Sequence, residues 1–311
     1  MSVIANVRRR LGFGKTVARP EVALKAKRSY ATRYSRSRRG NTIWFIFLLG
    51  MALFSVFPLF YCVITSLKPL DELLIFPPRF TVRRPTLENF RALPMLLSAL
   101  RVPISRYIFN SLFVSVVTTV AHVLTAAMAS FVLAKSTMKG RNVIFWLIQF
   151  ALLYNAYTLA LPQYIIFANM RILDTYWIYI LPYVAATMGV FLMKQFMEKS
   201  VPDSLMEAAR IDGAGYFRIF WRIVMPMVKP AWLTLSLFAF REIWAFQPQG
   251  TIFDEAIKTL PYVMNSINAG GIARQGSAMA ATVILMIPPI LVYLISQSNV
   301  LETMSSAGIK E

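Results

Sequence analysis

Cysteine and histidine are almost absent from this 311-residue sequence, which has one of each, Cys62 and His122. A single cysteine excludes an intrachain disulfide. One cysteine and one histidine are also too few for a zinc site with the usual set of ligands. The sequence has no Gly-x-x-x-x-Gly-Lys-Ser/Thr phosphate-binding loop. We therefore expect no catalytic residues, no bound metal and no nucleotide or other cofactor in this chain.

Acidic residues are also scarce: 14 of them face 33 lysines and arginines, which gives a net charge of +19. The excess is concentrated at the N-terminus, where residues 1–41 contain twelve basic residues and one acid, Glu21. Positive charge beside apolar segments marks the cytoplasmic side of a membrane protein. We expect 1–41 to be a basic cytoplasmic arm that binds either anionic lipid headgroups or a specific partner, and we expect no nucleic acid.

Long apolar runs dominate the rest of the chain, and the whole sequence is 57% hydrophobic with a mean hydropathy of +0.55. That is more apolar surface than one soluble core buries, so lipid is part of the solvent. A spanning helix needs about 20 apolar residues. The sequence predicts an all-α polytopic membrane protein with a transmembrane domain over 42–300, a loop at 198–228 and a tail at 301–311. Its six spans lie near 42–67, 108–134, 143–170, 175–197, 229–247 and 278–297.

Six spans place both termini on the same side, which the basic arm predicts to be the cytoplasm. The short loop at 135–141 and the loop at 198–228 then also face the cytoplasm, and both are basic. The loop at 68–107 disagrees with this topology, because it would lie outside and still carries seven basic residues.

The polar loop at 198–228 predicts two short helices joined by a turn. Pro202 suits a first helical position, and either Ser200 with Asp203 or Ser204 with Glu207 has the spacing of a capping box. Gly213 stands where a helix needs a left-handed residue to end. The first helix would present Leu205, Ala208, Ala209 and Asp212 on one face, and the second would run from about Tyr216 to Met225.

The same loop carries a spaced motif: Glu207-Ala208-Ala209, three residues, Gly213, nine residues, then Ile223-x-x-Pro226. It resembles the cytoplasmic signature of the permease subunits of binding-protein-dependent ABC importers, with Met225 as the one departure. The resemblance implies a coupling helix that docks in a groove of an ATPase subunit. It places Glu207, Ala208, Ala209, Asp212, Gly213, Ile223 and Pro226 at that contact, although local chemistry alone also allows Glu207 to be a helix cap.

Further motifs are similar to one branch of this family, the carbohydrate permeases of the maltose-permease small-subunit type. They are Ser66-Leu67-Lys68-Pro69, Pro85-Thr86-Leu87-Glu88-Asn89-Phe90, Phe109-Asn110-Ser111-Leu112 and Ala307-Gly308-Ile309-Lys310. The resemblance implies the type I importer fold in a bacterial cell membrane and transport of a sugar or oligosaccharide. It also implies a second homologous permease, two ATPase subunits that bind ATP and Mg²⁺, and an external substrate-binding protein. The alternatives are a secondary transporter, which would need coupling-ion sites and inverted repeats, and a membrane scaffold.

A few polar groups inside the predicted spans are candidates for the translocation path. Arg241 and Glu242 are costly at bilayer depth unless they face a wet cavity or another subunit, or reach the outer interface from the end of the span. Asn110 and Asn155 bond either between helices or to substrate. Tyrosines and tryptophans between 154 and 183 either stack on sugar rings or lie at the membrane interface. In the outer loop near 250–271, Gly270 and Gly271 are candidates for contact with the binding protein.

Overall fold

In the computed structural model, the described residues are 38–98, 101–154, 156–248, 250–268, 271 and 274–308. They form the following helices, which we number in chain order: α1 Arg38–Ser66, α2 Leu70–Leu73, α3 Glu88–Ser98, α4 Ile104–Lys135, α5 Arg141–Ala151, α6 Ala156–Asn169, α7 Trp177–Val184, α8 Thr187–Ser200, α9 Asp203–Ile211, α10 Tyr216–Ile219, α11 Met225–Met227, α12 Lys229–Ala245, α13 Leu260–Asn268 and α14 Gln275–Gly308. The chain divides into one unit that ends at Pro58 and a second that begins at Leu59.

Four stretches of these described residues are long and apolar enough to cross a membrane: Gly40–Ser66, Ile104–Lys135, Trp177–Ser200 and Gln275–Gln297. They coincide with the first, second, fourth and sixth predicted spans. The fifth predicted span is the second half of a bent pair, Tyr216–Met227 and Lys229–Ala245, whose axes differ by 80°. The third is divided between α5 and α6, which are 11 and 14 residues long. A count of six spans remains a prediction.

Helix α4 lies at the centre of the second unit and packs against α7, α8 and α12. Its buried face is rich in small and polar side chains, among them Ser111, Ser115, Thr118 and Ser130. Its exposed face is apolar, with Phe109 at 56% and Val120 at 53%. This inverts the pattern of a water-soluble helix and is typical of a helix whose outer face meets lipid or another apolar subunit.

One end of the bundle is held together by side chains that bond to main-chain atoms. The Asn110 amide donates to the carbonyl oxygens of Ala256 (2.8 Å) and Lys258 (2.9 Å), and its own oxygen accepts from the Tyr176 hydroxyl at 2.8 Å. The Ser111 hydroxyl accepts from the backbone amide of Leu260 at 2.7 Å. Asn110 is thus fully enclosed by the protein, as expected for a structural role, and the loop after α12 is fixed to the start of α4.

Candidate functional site

Helix α9 lies at the other end of the bundle and is attached there by Lys135, the last residue of α4. The Lys135 ammonium donates to the Val201 carbonyl at 2.6 Å and to the Asp203 carboxylate at 2.8 Å. This contact lowers the pKa of Asp203 below its usual value. The side chain of Lys135 is only 5% exposed. The charge of a nearly buried lysine therefore holds the first residue of α9 against the end of a transmembrane helix.

Both alternative capping boxes, Ser200 with Asp203 and Ser204 with Glu207, are wrong. Helix α9 begins at Asp203 with Pro202 at the N-cap, and no side chain caps it. Glu207 lies more than a full turn inside the helix, too far along to bond the first free amides. Its side chain is exposed. The alternative in which Glu207 serves as a helix cap is therefore excluded by the position of the helix start.

The end of α9 was predicted correctly. Gly213 has a φ of +78°, in the left-handed region. Its amide donates to the Arg210 carbonyl at 3.0 Å, and the amide of Ala214 donates to the Ala209 carbonyl at 2.9 Å. These two bonds form a complete Schellman motif. Ala214 packs against the core cluster that contains Ala209, which is the apolar contact expected of that motif.

The predicted shared face of α9 is only partly correct. Ala209 is 8% exposed and Met206 is 3% exposed, and both belong to the core between α4, α8 and the loop. Leu205, Ala208 and Asp212 are exposed. The helix lies flat on the bundle with Met206 and Ala209 on its inward side. Ala209 is therefore buried and does not share an exposed face with the other three predicted residues.

The most outward face of α9 contains Ser204, Glu207, Ala208 and Ile211, whose spacing of three, four and seven residues places them on one side of a helix. Ile211 is 87% exposed. The centre of this face, at Ala208, is small. Such a surface permits close approach of another protein and offers it one large apolar side chain.

A second helical segment connects α9 to α12, as predicted. It starts as α10 at Tyr216, widens to a π-helical turn over Phe220–Val224 and ends as α11. Ile219, Phe220 and Val224 are buried in the same core cluster as Ala209, while Ile223 is half-buried and Pro226 is exposed. The loop is therefore packed as one body with the ends of α4 and α8.

Trp232 joins this body to α12 across the 80° bend. Its indole nitrogen donates to the Met225 carbonyl at 3.1 Å. The chain breaks helical geometry at Val228, and Pro230 has no amide hydrogen to offer, so carbonyls on the inner side of the bend need other donors. The tryptophan supplies one of them.

Arg241 and Glu242 lie in the last two turns of α12 and both are exposed. They line a cavity of about 580 Å³ together with Tyr183, Phe246 and Gln247. Glu242 also lines a neighbouring cavity of about 550 Å³, whose wall includes Tyr154 and Gln163. Within the described residues neither charge forms an ion pair. The cavities combine aromatic rings with a carboxylate, a guanidinium and carboxamides, a composition that suits a polar ligand with apolar faces.

Two predicted site residues, Asn155 and Gly270, lie outside the described residues. Gly271 is described, and its φ of +72° is in the left-handed region. Sequence reasoning missed Lys135, Met206, Ile211 and Trp232. Of these, only Met206 carried a local signal, since it stands three residues before Ala209 in a polar helix. In the part of the chain that the structure describes, no group of acidic, histidine or cysteine side chains could hold a metal ion.

The fold defines a class: a helical protein with several helices long and apolar enough to cross a membrane and a packed helix–turn–helix loop at 198–228. No protein-family model matches the chain. Individual proteins do. The chain is 32% identical over 199 residues to the sn-glycerol-3-phosphate transport system permease protein UgpE of Yersinia enterocolitica, with 63% of this chain and 70% of that protein covered. It is 26% identical over 267 residues to the arabinooligosaccharides transport system permease protein AraQ of Bacillus subtilis, with 85% and 94% covered.

A solved structure has the same fold: a bacterial ABC transporter involved in the import of the acidic polysaccharide alginate, with a TM-score of 0.71, 24% identity, and 85% of this chain and 98% of that chain covered. The protein belongs to the family of ABC importer permease subunits. It is a multi-pass inner-membrane protein that works with ATPase subunits, a second permease and a substrate-binding protein.

Proposed function

We propose that this permease imports a sugar or oligosaccharide and forms half of a translocation pore whose other half is a homologous permease. Two ATPase subunits would bind ATP and Mg²⁺ and perform the hydrolysis, so that this chain is not itself an enzyme. The observation that supports coupling is the outward face of α9, which is small at Ala208 and flanked by the exposed Glu207 and Ile211. The relatives named for arabino-oligosaccharides and glycerol-3-phosphate support a polyhydroxylated substrate.

The test of this function is uptake of radiolabelled oligosaccharides into liposomes that contain this chain, its partner permease and the ATPase subunits. We expect uptake to require both enclosed ATP and the external binding protein. Uptake driven by an ion gradient without ATP would instead establish a secondary transporter. A complex that assembles and takes up none of a broad panel of sugars, with or without ATP, would contradict the proposed substrate class.

We propose that the cavity at Arg241 and Glu242 is the part of the translocation path that this chain contributes. Hydroxyl-rich rings bind to aromatic faces and to charged hydrogen-bonding groups, and Tyr183, Phe246 and Glu242 offer both. Asn155 is a further candidate for the path. Glu242→Gln is expected to reduce sugar-stimulated ATP hydrolysis about tenfold or more, since a hydrogen bond to a charged group contributes about 1.5 to 3 kcal/mol.

The control for Glu242→Gln is Glu88→Gln, which removes an exposed carboxylate at the start of α3. Basal hydrolysis and complex yield are expected to be normal in both variants. If Glu242→Gln shows normal stimulation at every sugar concentration, Glu242 lies off the path.

We propose that both termini and α9 face the cytoplasm, and that the loop after α12, including Gly270 and Gly271, meets the binding protein. Ile211 and Phe253 are exposed by 87% and 65% and lie in loops at opposite ends of the bundle. With each replaced by cysteine in a Cys62→Ala background, a membrane-impermeant thiol reagent is expected to label position 253 and not 211 on intact cells. The opposite pattern would reverse the orientation.

A further inference from the structure

The hairpin at residues 67–86, which follows the first span, folds back onto the end of that span. Its two ends are joined by a bond from the Thr86 amide to the Leu67 carbonyl at 2.9 Å. Asn89 closes it further, because its amide donates to the carbonyls of Ser66 (2.8 Å) and Lys68 (2.7 Å). The hairpin is thus fixed at the last residue of α1 and cannot extend away from the membrane surface as a free loop.

Glu72 fixes the inside of this hairpin. Its carboxylate accepts from the backbone amides of Arg83 (3.1 Å) and Arg84 (2.9 Å), and it is 7% exposed. Lys68, 3% exposed, donates to the Arg79 carbonyl. Both bonds reach main-chain atoms, so neither of them uses an arginine guanidinium group. Arg79 and Arg83 are exposed, and neither forms an ion pair within the described part of the chain, whereas Arg84 pairs with Asp71.

The hairpin also exposes large apolar side chains close to the end of α1. Phe80 is 61% exposed and its ring lies 6.1 Å from the ring of Tyr61. Tyr61 lies five residues before the end of α1, which is about 7.5 Å along a helix axis. Phe80 therefore lies beside the last turns of α1, about one and a half turns before the helix ends. Phe76 is 91% exposed and Leu74 is 60% exposed on the same hairpin.

Exposed rings beside a span, with arginines on the same segment, are the composition of a structure that lies in the headgroup region. We infer that the hairpin at 67–86 is an interfacial anchor that binds anionic lipid headgroups in the leaflet at that end of the first span. Arg79 and Arg83 recognise the headgroup phosphate, and Phe76 and Phe80 enter the acyl boundary. Arg79 and Arg83 are two of the seven basic residues of 68–107 that the positive-inside rule does not expect in an outer loop, and the anchor gives these two a function. This proposed lipid anchor does not depend on which substrate the transporter carries.

The experiment uses the whole transporter complex in vesicles of phosphatidylcholine, with Phe76→Cys in a Cys62→Ala background as the attachment point for an environment-sensitive fluorophore. Quenching is compared for brominated phosphatidylglycerol and brominated phosphatidylcholine at equal mole fraction. Both lipids are expected to quench, with the anionic lipid preferred. Since each basic residue near the surface adds attraction, Arg79→Gln with Arg83→Gln is expected to reduce the preference about tenfold or more.

The matched control is Arg91→Gln, an exposed arginine of α3 outside the hairpin, which is expected to keep the preference. The double variant retains the backbone bonds to Glu72, so the hairpin should stay folded. Absence of quenching by either lipid would place the hairpin in water and overturn the inference. Equal quenching by the two lipids in the unmodified hairpin, or an unchanged preference in the double variant, would overturn headgroup recognition. A label shielded only when the binding protein is added would assign the surface to that protein instead.

Discussion

At the scale of single residues, the motif Glu207-Ala208-Ala209 and Gly213 separates into structural and exposed positions. Ala209 and Gly213 build the Schellman turn, since the carbonyl of one and the left-handed backbone of the other are both needed for it. Ala208 and Glu207 are exposed and available to a partner. Substitutions at Ala209 or Gly213 are therefore expected to distort the turn. Substitutions at Glu207 or Ala208 are expected to change only the exposed surface.

Gly213→Val is expected to uncouple sugar binding from ATP hydrolysis. A Cβ at this position would meet no atom within 4 Å, so the cost is in the backbone alone, at about 1 to 2 kcal/mol or more for a β-branched residue in the left-handed region. The strain would change the angle between α9 and the following segment. The measurement is sugar-stimulated hydrolysis in liposomes.

Gly213→Asn is the matched variant, because asparagine tolerates the left-handed conformation. It should retain most of the stimulation. Equal activity of the valine and asparagine variants would show that the φ of +78° is not what the loop requires.

Lys135→Met is expected to release the start of α9 while leaving the spans intact. It removes the donor to Val201 and Asp203 but keeps a long apolar side chain. The pKa of Asp203 is lowered by Lys135, so this contribution is present at neutral pH and is lost as the pH falls through that lowered pKa. We expect faster proteolysis within 200–215 at neutral pH.

The control is Lys139→Met, an exposed lysine in the same short loop. Its cleavage pattern should match that of the unmodified protein. Identical cleavage of the Lys135 and Lys139 variants would show that the contact of Lys135 with Val201 and Asp203 does not hold the start of α9.

At the scale of elements, the loop from α9 to α11 acts as one packed body because its buried residues share a core with the ends of α4 and α8. The connection from this body to α12 is not packed in the same way. It is an 80° bend at which the helical hydrogen bonds are interrupted. The loop at 198–228 is joined to α12 through this bend. Trp232 is the side chain that bonds across it.

Trp232→Phe keeps a large ring and removes the indole donor. Loss of one bond and an unsatisfied carbonyl cost about 1 to 3 kcal/mol, and we expect basal hydrolysis to persist while sugar stimulation falls. Trp221→Phe, at a position that is 41% exposed, is the comparison. A Trp232 variant with full stimulation would show that the bend does not need this bond.

At the scale of the whole molecule, the sequence predicted four of the spans as continuous helices and the helix–turn–helix form of the loop at 198–228. Apolar length located four spans, and the glycine located the turn, because both signals are local. Three other features depend on contacts between distant segments, which local sequence signals do not show. They are the split of the third span, the burial of Ala209 and the contact of Lys135 with the start of α9. Lys135 and Asp203 are 68 residues apart, and no periodicity within either segment indicates that contact.

The central claim is that the outward face of α9 docks the ATPase subunits. The most direct measurement is the amount of ATPase that remains bound to affinity-purified permease complexes carrying Ala208→Arg. Ala208 is exposed at the small centre of that face, so an arginine there would hold a partner surface away by several ångströms without disturbing the core. The control is Ser200→Arg at the exposed end of α8. We predict that the Ala208 variant loses most of its bound ATPase while the control retains it. Full retention in the Ala208 variant, with normal sugar-stimulated hydrolysis, would contradict the account.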